Sequence, residues 1–204
     1  MNIAQNEDPQ SFRNSAFRIP NYLGKSHFPK EAITIMSFHK TDLNAVAFSP
    51  FKAIGDNWAI LTGCSAAGFN SMTVSWGAAG VLWGKPCVFV FVRPSRYTYD
   101  FMEQGDRFSL SLLPEGMHQK VAVFGSKSGR DCDKYALSGA ALGEEDGVKF
   151  CAEAETVFLC KKIGAADLTP QWFLDNHIDP DHYGGKNYHR MYIGEVEAVL
   201  RAEA

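Results

Sequence analysis

A mainly β fold, a barrel core with a few short helices, is what this 204-residue sequence predicts. Three features lead there. Short strand-like runs recur between Gly- and Pro-marked turns, with few helical stretches among them. Strands and helices do not alternate regularly, as a doubly wound sheet requires, and no GxGxxG stands where such a sheet would need it. The run Cys87-Val88-Phe89-Val90-Phe91-Val92 is apolar on both faces, the mark of a strand buried on both sides in a barrel or at a subunit interface. The length suits one well-buried domain, read as an arm over residues 1–30 followed by a domain over residues 31–204.

The elements follow in order. Residues 1–30 are polar and broken by Pro9, Pro20, Gly24 and Pro29, giving a loosely ordered arm able to wrap a partner subunit. Thr41-Asp42 caps a helical turn over Leu43 to Phe48 that Pro50 ends. Asn57 to Thr62 is a short apolar strand closed by Gly63. Asn70-Ser71-Met72-Thr73 reads as a loop of small polar residues, and Met72 to Trp76 alternates like a half-buried strand. After the strand from Cys87 to Val92, a helix from Ser95 to Glu103 places Tyr97, Phe101 and Met102 on one face, with Ser95 as its N-cap. The position three residues on is Thr98, so no capping-box carboxylate fills that helix start. Phe108 to Leu113 is a strand, and Pro114 to Phe124 a helix with Pro near its start. A polar-basic loop, Gly125 to Asp131, comes next. Val148 to Ile163 contains a long strand with Phe150, Ala152, Ala154, Thr156, Phe158 and Cys160 on one face. Asp167 to Gly185 is a loop-rich insertion, and Tyr188 to Val199 is the last strand.

Composition removes several classes of function. The chain is 46% hydrophobic and 21% charged, which excludes disorder. A formal charge of -3 gives no basic stripe for nucleic acid. Arg93, Arg96, Lys127, Arg130 and Lys134 form only a local basic set, suited to one small anion. The five cysteines are scattered without a CxxC pair, which points away from a disulfide framework or zinc site and towards thiols in a reducing compartment. The polar start lacks a signal pattern, and no apolar run approaches the roughly 20 residues of a membrane span. A cytoplasmic location without a membrane or nucleic-acid partner is expected.

The chemistry concentrates between Asn57 and Phe101. Asn70, Ser71 and Thr73 offer an amide, hydroxyls and close backbone approach to a flat polar ring, although Asn and Ser are also common in ordinary loops. Arg93, Ser95, Arg96 and Thr98 bring guanidiniums and hydroxyls to a helix start, a natural place for phosphate. A planar ring with a phosphate tail describes flavin mononucleotide (FMN). Strand alternation leaves Arg93 and Arg96 free to point different ways, one to the phosphate and the other to a carboxylate. Of Tyr97, Tyr99 and Phe101, one is expected to touch the cofactor while the others pack the helix. His177, Asp179, Asp181 and His182 resemble a metal set, but Pro180 and the spacing favour a solvated loop.

The stretch Asn70-Ser71-Met72-Thr73-Val74-Ser75-Trp76, then Lys85-Pro86, then Arg93-Pro94-Ser95-Arg96-Tyr97-Thr98 resembles the flavin reductase-like, FMN-binding split-barrel family, which includes flavoredoxins. The likeness runs from about Pro50 to Leu200 and takes in the segments Gly125–Lys134 and Tyr188–Val196. It implies a split β-barrel of about six strands with Greek-key character, forming a homodimer with FMN near the subunit interface. It places Asn70, Ser71, Met72 and Thr73 against the isoalloxazine, Trp76 close to it, and Arg96, Tyr97 and Thr98 at the ribityl phosphate. Arg93, Ser95 and Ser128 belong to the same cofactor set. Lys127 and Lys134 are alternative phosphate contacts. His189 matches histidines near the nicotinamide site of such reductases; a histidine bonded at the dimer interface is the structural alternative.

The resemblance implies an NAD(P)H-dependent flavin reductase that passes hydride to flavin N5 and electrons to a second flavin, oxygen or a metal complex, with no catalytic side chain of its own. An electron carrier that holds FMN without a nicotinamide site is the alternative, and a related barrel turned to haem is a third.

Overall fold

The computed structural model describes residues 37–203. The expected arm over residues 1–30 lies outside them. Ten strands and four α-helices follow one another among the described residues. The strands are β1 (Phe38–Thr41), β2 (Ala59–Ser65), β3 (Gly68–Val74), β4 (Gly77–Leu82), β5 (Lys85–Val92), β6 (Arg107–Leu112), β7 (Leu142–Glu145), β8 (Val148–Cys151), β9 (Thr156–Asp167) and β10 (Arg190–Ala202). The helices are α1 (Tyr97–Gln104), α2 (His118–Ser126), α3 (Lys134–Ser138) and α4 (Ile178–His182).

The fold is mainly β, and its barrel is split. One antiparallel sheet runs in the order β3-β2-β6-β9-β10-β5-β4, and β1 also pairs with β10. Its eight strands exceed the six or so expected. The long β10 makes this possible. Its first half pairs with β5 and its last residues with β1, while β9 lines its other side throughout. Strands β3 and β4 remain as the unpaired ends of the sheet.

Period-two alternation sorts side chains between two cores. Ala59 and Leu61 of β2, Phe108, Leu110 and Leu112 of β6, Phe158 and Cys160 of β9, and Val88, Val90 and Val92 of β5 fill the barrel. Ile60, Val157 and Leu159 face the other way, onto Val121 and Phe124 of α2 and the β7–β8 hairpin. On that outer face Ser109 Oγ donates to Lys149 O at 2.8 Å, and Cys151 N–H donates to Ser111 Oγ at 3.2 Å. Two buried serines thus carry the hairpin.

Several expected boundaries shift. Gly63 continues β2 instead of closing it, because Met102 of α1 packs where its side chain would be. Pro50 precedes a π-helical turn, Phe51–Asp56, instead of ending a helix; a proline is tolerated at a helix start, where its missing N–H is unneeded. Asp42 does cap a short 3-10 turn, Leu43–Ala45, by accepting from Asn44 N–H. Arg96, not Ser95, occupies the N-cap of α1. The expected strand from Val148 to Ile163 is two strands, parted by a turn over residues 152–155. Phe150, Ala152 and Ala154 therefore join the outer core, while Phe158 and Cys160 lie inside the barrel. On β5, Phe89 and Phe91 are only half-buried, so this strand is not fully covered on both sides as its apolar run suggests. No helix among the described residues is long and apolar enough to cross a membrane.

Gly194 marks a register shift in β10, where the barrel wall bends over Phe108. A Cβ there would collide with the Phe108 ring and stand 2.9 Å from Cys160 Cβ. Gly194→Ala is expected to cost about 1–3 kcal/mol in urea unfolding. Gly80→Ala on the open edge strand, where a Cβ meets nothing within 4 Å, should change stability by no more than about 0.5 kcal/mol. Equal effects would contradict this packing.

Candidate functional site

The segment Asn70 to Thr73 is strand, not loop, so its pleat sends neighbouring side chains to opposite faces. Met72 is buried in the barrel. Ser71 lies 2.8 Å from the Thr62 hydroxyl and 2.9 Å from the Tyr135 hydroxyl, on the face beneath α3. Thr73 Oγ1 donates to Val121 O of α2 at 3.0 Å. Asn70 Nδ2 donates to Thr98 Oγ1 at 2.7 Å, tying β3 to the first turn of α1. The backbone of Gly129 passes directly over this amide. A Cβ there would collide with Asn70 Oδ1 and stand 3.1 Å from Tyr97 Cδ1.

Beside this junction, Ser95, Arg96, Tyr97, Thr98, Ser126, Lys127, Ser128 and Lys134 line a cavity of about 140 Å³. Seven of these were singled out from sequence. Ser126 was quoted only as part of the basic loop, and its place at the end of α2 is what brings it in. Both candidate lysines line the cavity, in different states. Lys127 is exposed, whereas Lys134 is 5% exposed.

Half-buried Arg96 and buried Lys134 have unusual partners. Arg96 Nη1 donates to Gly125 O at 2.9 Å and Nη2 to Phe124 O at 3.2 Å. Lys134 Nζ donates to Ser71 O at 2.9 Å and to the same Phe124 O at 3.2 Å. The Phe124 and Gly125 carbonyls belong to the last turn of α2, the negative end of its dipole, and Ser71 O to β3. Neither cation has a carboxylate partner among the described residues. Asp133 stays out of the pocket's charge balance, since its carboxylate caps α3 by accepting from Tyr135 and Ala136 N–H. Burial, and then the neighbouring Arg96 charge, pushes the Lys134 ammonium down to about 8. Burial, and then Arg93, also lowers Arg96. Two like charges thus share a desolvated place that lacks an anion.

Arg93 is not part of this lining. Its Nη2 donates to His182 O at 2.8 Å, and its guanidinium lies 5.1 Å from the centre of the Tyr183 ring. Trp76, 40% exposed, has its ring centre 5.3 Å from His182 and 4.8 Å from His189. Ser95 bridges the two regions. It lines the cavity, while its N–H and hydroxyl bind Asn187 at 3.3 and 3.0 Å. Of the three aromatics on α1, Tyr97 lines the cavity beneath the Arg130 guanidinium, Phe101 packs against it, and Tyr99 faces Tyr192.

The insertion carries more structure than a solvated loop. Tyr183 is 8% exposed, and Asp179 accepts from Gly185 N–H and the Tyr188 hydroxyl, both at 2.9 Å. Among the described residues, no group of three or more His, Cys, Asp or Glu could hold a metal ion.

The profile of the flavin reductase like domain matches residues 51–204. The chain belongs to that family. Solved structures share its fold. A flavoredoxin from Methanosarcina acetivorans superposes with a TM-score of 0.55 at 19% identity, over 70% of this chain and 67% of that one. An FMN-binding domain of flavin reductases-like enzyme from Shewanella baltica OS155 gives 0.57 at 19% identity, over 81% and 78%. The styrene monooxygenase flavin reductase from Pseudomonas putida S12 gives 0.53 at 22% identity, over 72% and 80%. No curated protein matches the chain in sequence.

The lowered Lys134 ammonium carries a signed consequence. Its folded value of about 8 lies below the ordinary 10.5, so between them the unfolded chain binds more protons and stability rises with pH. Ligand-free wild type should gain up to about 2 kcal/mol relative to Lys134→Met between about pH 7.5 and 9.5. Urea unfolding at both values checks this; parallel behaviour of the two proteins would refute it.

Proposed function

We propose that this protein is an FMN-dependent oxidoreductase of the flavin reductase type, oxidising NAD(P)H and handing electrons to a further acceptor. The observation that carries this is the pair of cations, half-buried Arg96 and buried Lys134, converging on one cavity without a carboxylate partner among the described residues. A buried charge is retained at a cost unless a ligand compensates it. A phosphate monoester carries about two negative charges at neutral pH, which suits two cations and favours FMN over the singly charged phosphates of FAD.

The residues fit such a group. Arg96 and Lys134 would hold the phosphate, with Lys127 at the mouth and hydroxyls from Ser95, Ser126 and Ser128 around it. Thr98, already bonded to Asn70, links this cradle to β3. The ring side falls to half-buried Thr73, exposed Trp76 and the β3 backbone, since the Asn70, Ser71 and Met72 side chains are all buried. When bound, FMN supplies hydride acceptance at N5. The protein's part is to hold the phosphate, fix the ring and leave room for a donor. Trp76, His182, His189 and Arg93 form an aromatic and cationic group outside the phosphate cavity, and a second ligand site there favours a reductase over an electron carrier. The half-buried Phe89 and Phe91, with the exposed Val81 and Trp83 near the β4 edge, offer the surface for the expected homodimer. Five free thiols suit a cytoplasmic location.

Oxidised-flavin absorption bands in the purified protein, and NAD(P)H oxidation under steady-state conditions, are the expected results. Flavin bands without nicotinamide oxidation would leave the electron-carrier function in its place.

Arg96→Ala should raise the FMN dissociation constant by about one to two decades, the loss of a charge-assisted contact. Arg96→Lys should recover part of this, since an ammonium lacks the planar fork that spans two carbonyls. Leu174→Ala, at a fully exposed position of the insertion, should leave affinity unchanged. Unchanged affinity in Arg96→Ala by fluorescence titration would remove Arg96 from the phosphate site.

A further inference from the structure

The segment between β9 and β10 ends by setting one phenol against one imidazole. The ring of Tyr183 is stacked on Phe173, with centroids 5.5 Å apart and planes 7° from parallel, and Tyr188 lies 4.9 Å away. The guanidinium of Arg93 is 5.1 Å from the same ring. Held in this way, Tyr183 is 8% exposed, and its hydroxyl lies 2.9 Å from Nδ1 of His189. No other described group bonds to that hydroxyl.

A hydrogen bond between a phenol and a neutral imidazole has two possible senses, and the hydrogen-bond balance separates them. If His189 donated from Nδ1, the phenolic proton of a buried tyrosine would have no acceptor among the described residues. If the phenol donates, the hydroxyl proton and Nδ1 are both satisfied and the imidazole carries its own proton on Nε2. Burial, with the charges of Arg93 and His182, lowers the His189 imidazole to about 4, so it is neutral at pH 7 and a single tautomer can be held. No described group accepts from Nε2, and the imidazole lies 4.8 Å from the exposed Trp76 ring.

We infer that Tyr183 is a positioning residue: by donating to Nδ1 it holds His189 as the Nε2–H tautomer, presenting one neutral donor beside Trp76 to a carbonyl oxygen of the carboxamide class on the second substrate. A neutral donor selects a carbonyl over an anion, which Arg93 is placed to receive instead. The tautomer follows from the fold alone; its use by a carboxamide rests on the nicotinamide chemistry proposed above.

Long-range nitrogen–proton correlation spectra of the protein without nicotinamide at pH 7 should show the Nε2–H tautomer at His189, and Tyr183→Phe should abolish that preference. An Nδ1–H tautomer in wild type, or an unchanged spectrum in Tyr183→Phe, would overturn the assignment whatever reaction the protein performs. In stopped-flow reduction of FMN-loaded protein, Tyr183→Phe should weaken nicotinamide binding about threefold to tenfold with little change in the limiting rate. In a His189→Ala background the same change should have no further effect. Additive losses, or a fall in limiting rate at constant affinity, would overturn the role assigned to the pair. A correct tautomer in a protein that does not oxidise nicotinamide would refute the carboxamide role and the proposed reductase activity while leaving the Tyr183–His189 geometry intact.

Discussion

The carbonyl of Phe124 accepts from two cations, Arg96 and Lys134, and the site depends on that shared acceptor. Arg96 begins α1, Lys134 begins α3, and Phe124 sits near the end of α2, so three helix termini meet at one oxygen. Lys134 also reaches Ser71 O, which fastens the cluster to β3. The carbonyl dipoles at the end of α2 orient the cations but do not neutralise them; burial, and then the neighbouring Arg96 charge, holds the Lys134 ammonium well below its ordinary value. An arrangement of this kind stores destabilisation where a ligand can relieve it, and sites built for charged ligands are commonly the strained parts of a fold.

A tight turn determines which cation goes where. Arg96 N–H donates to Arg93 O at 2.9 Å, closing a four-residue turn with Pro94 in its second position, where the fixed proline φ is favourable. The turn leaves β5 and enters α1, and its two ends diverge. Arg96 is drawn to the end of α2, and Arg93 to the insertion between β9 and β10. The cavity lined by Arg96 and Lys134 and the aromatic group around Trp76 are therefore separately supported. Ser95, inside the turn, touches both through its place in the cavity wall and its bonds to Asn187. A change in the insertion can reach the cavity by that route without touching Arg96 or Lys134.

The polar residues of β3 show why part of the site could not be read from the chain. Asn70, Ser71 and Thr73 within four residues suggest a loop, since each side chain competes for backbone hydrogen bonds and Asn is depleted in strands. Here each has a partner from a distant segment: Thr98 for Asn70, Thr62 and Tyr135 for Ser71, Val121 O for Thr73. With the partners supplied, the strand forms, and its pleat divides residues that the sequence presented as one surface. Gly129 likewise looked like a loop residue, and only the passage of its backbone over Asn70 shows what its missing side chain is for.

By itself the sequence determined the β class, the largely apolar strand β5, the alternating strand β6 and the end of β3, the basic loop before α3, and the set of residues around Arg96 and Lys134. These are properties of local pattern, because period-two alternation and clusters of cations with hydroxyls are written in neighbouring positions. The tertiary structure decided which cations were buried and which was left exposed, separating Lys134 from Lys127. It sent Arg93 away from the cavity lined by Arg96 and Lys134, split the expected strand from Val148 to Ile163 between two cores, and folded the insertion so that Tyr183 meets His189. Burial and hydrogen-bond partnership depend on atoms brought together from far along the chain. A buried charge or a fixed tautomer is a property of that assembled environment, and no single stretch of residues contains it.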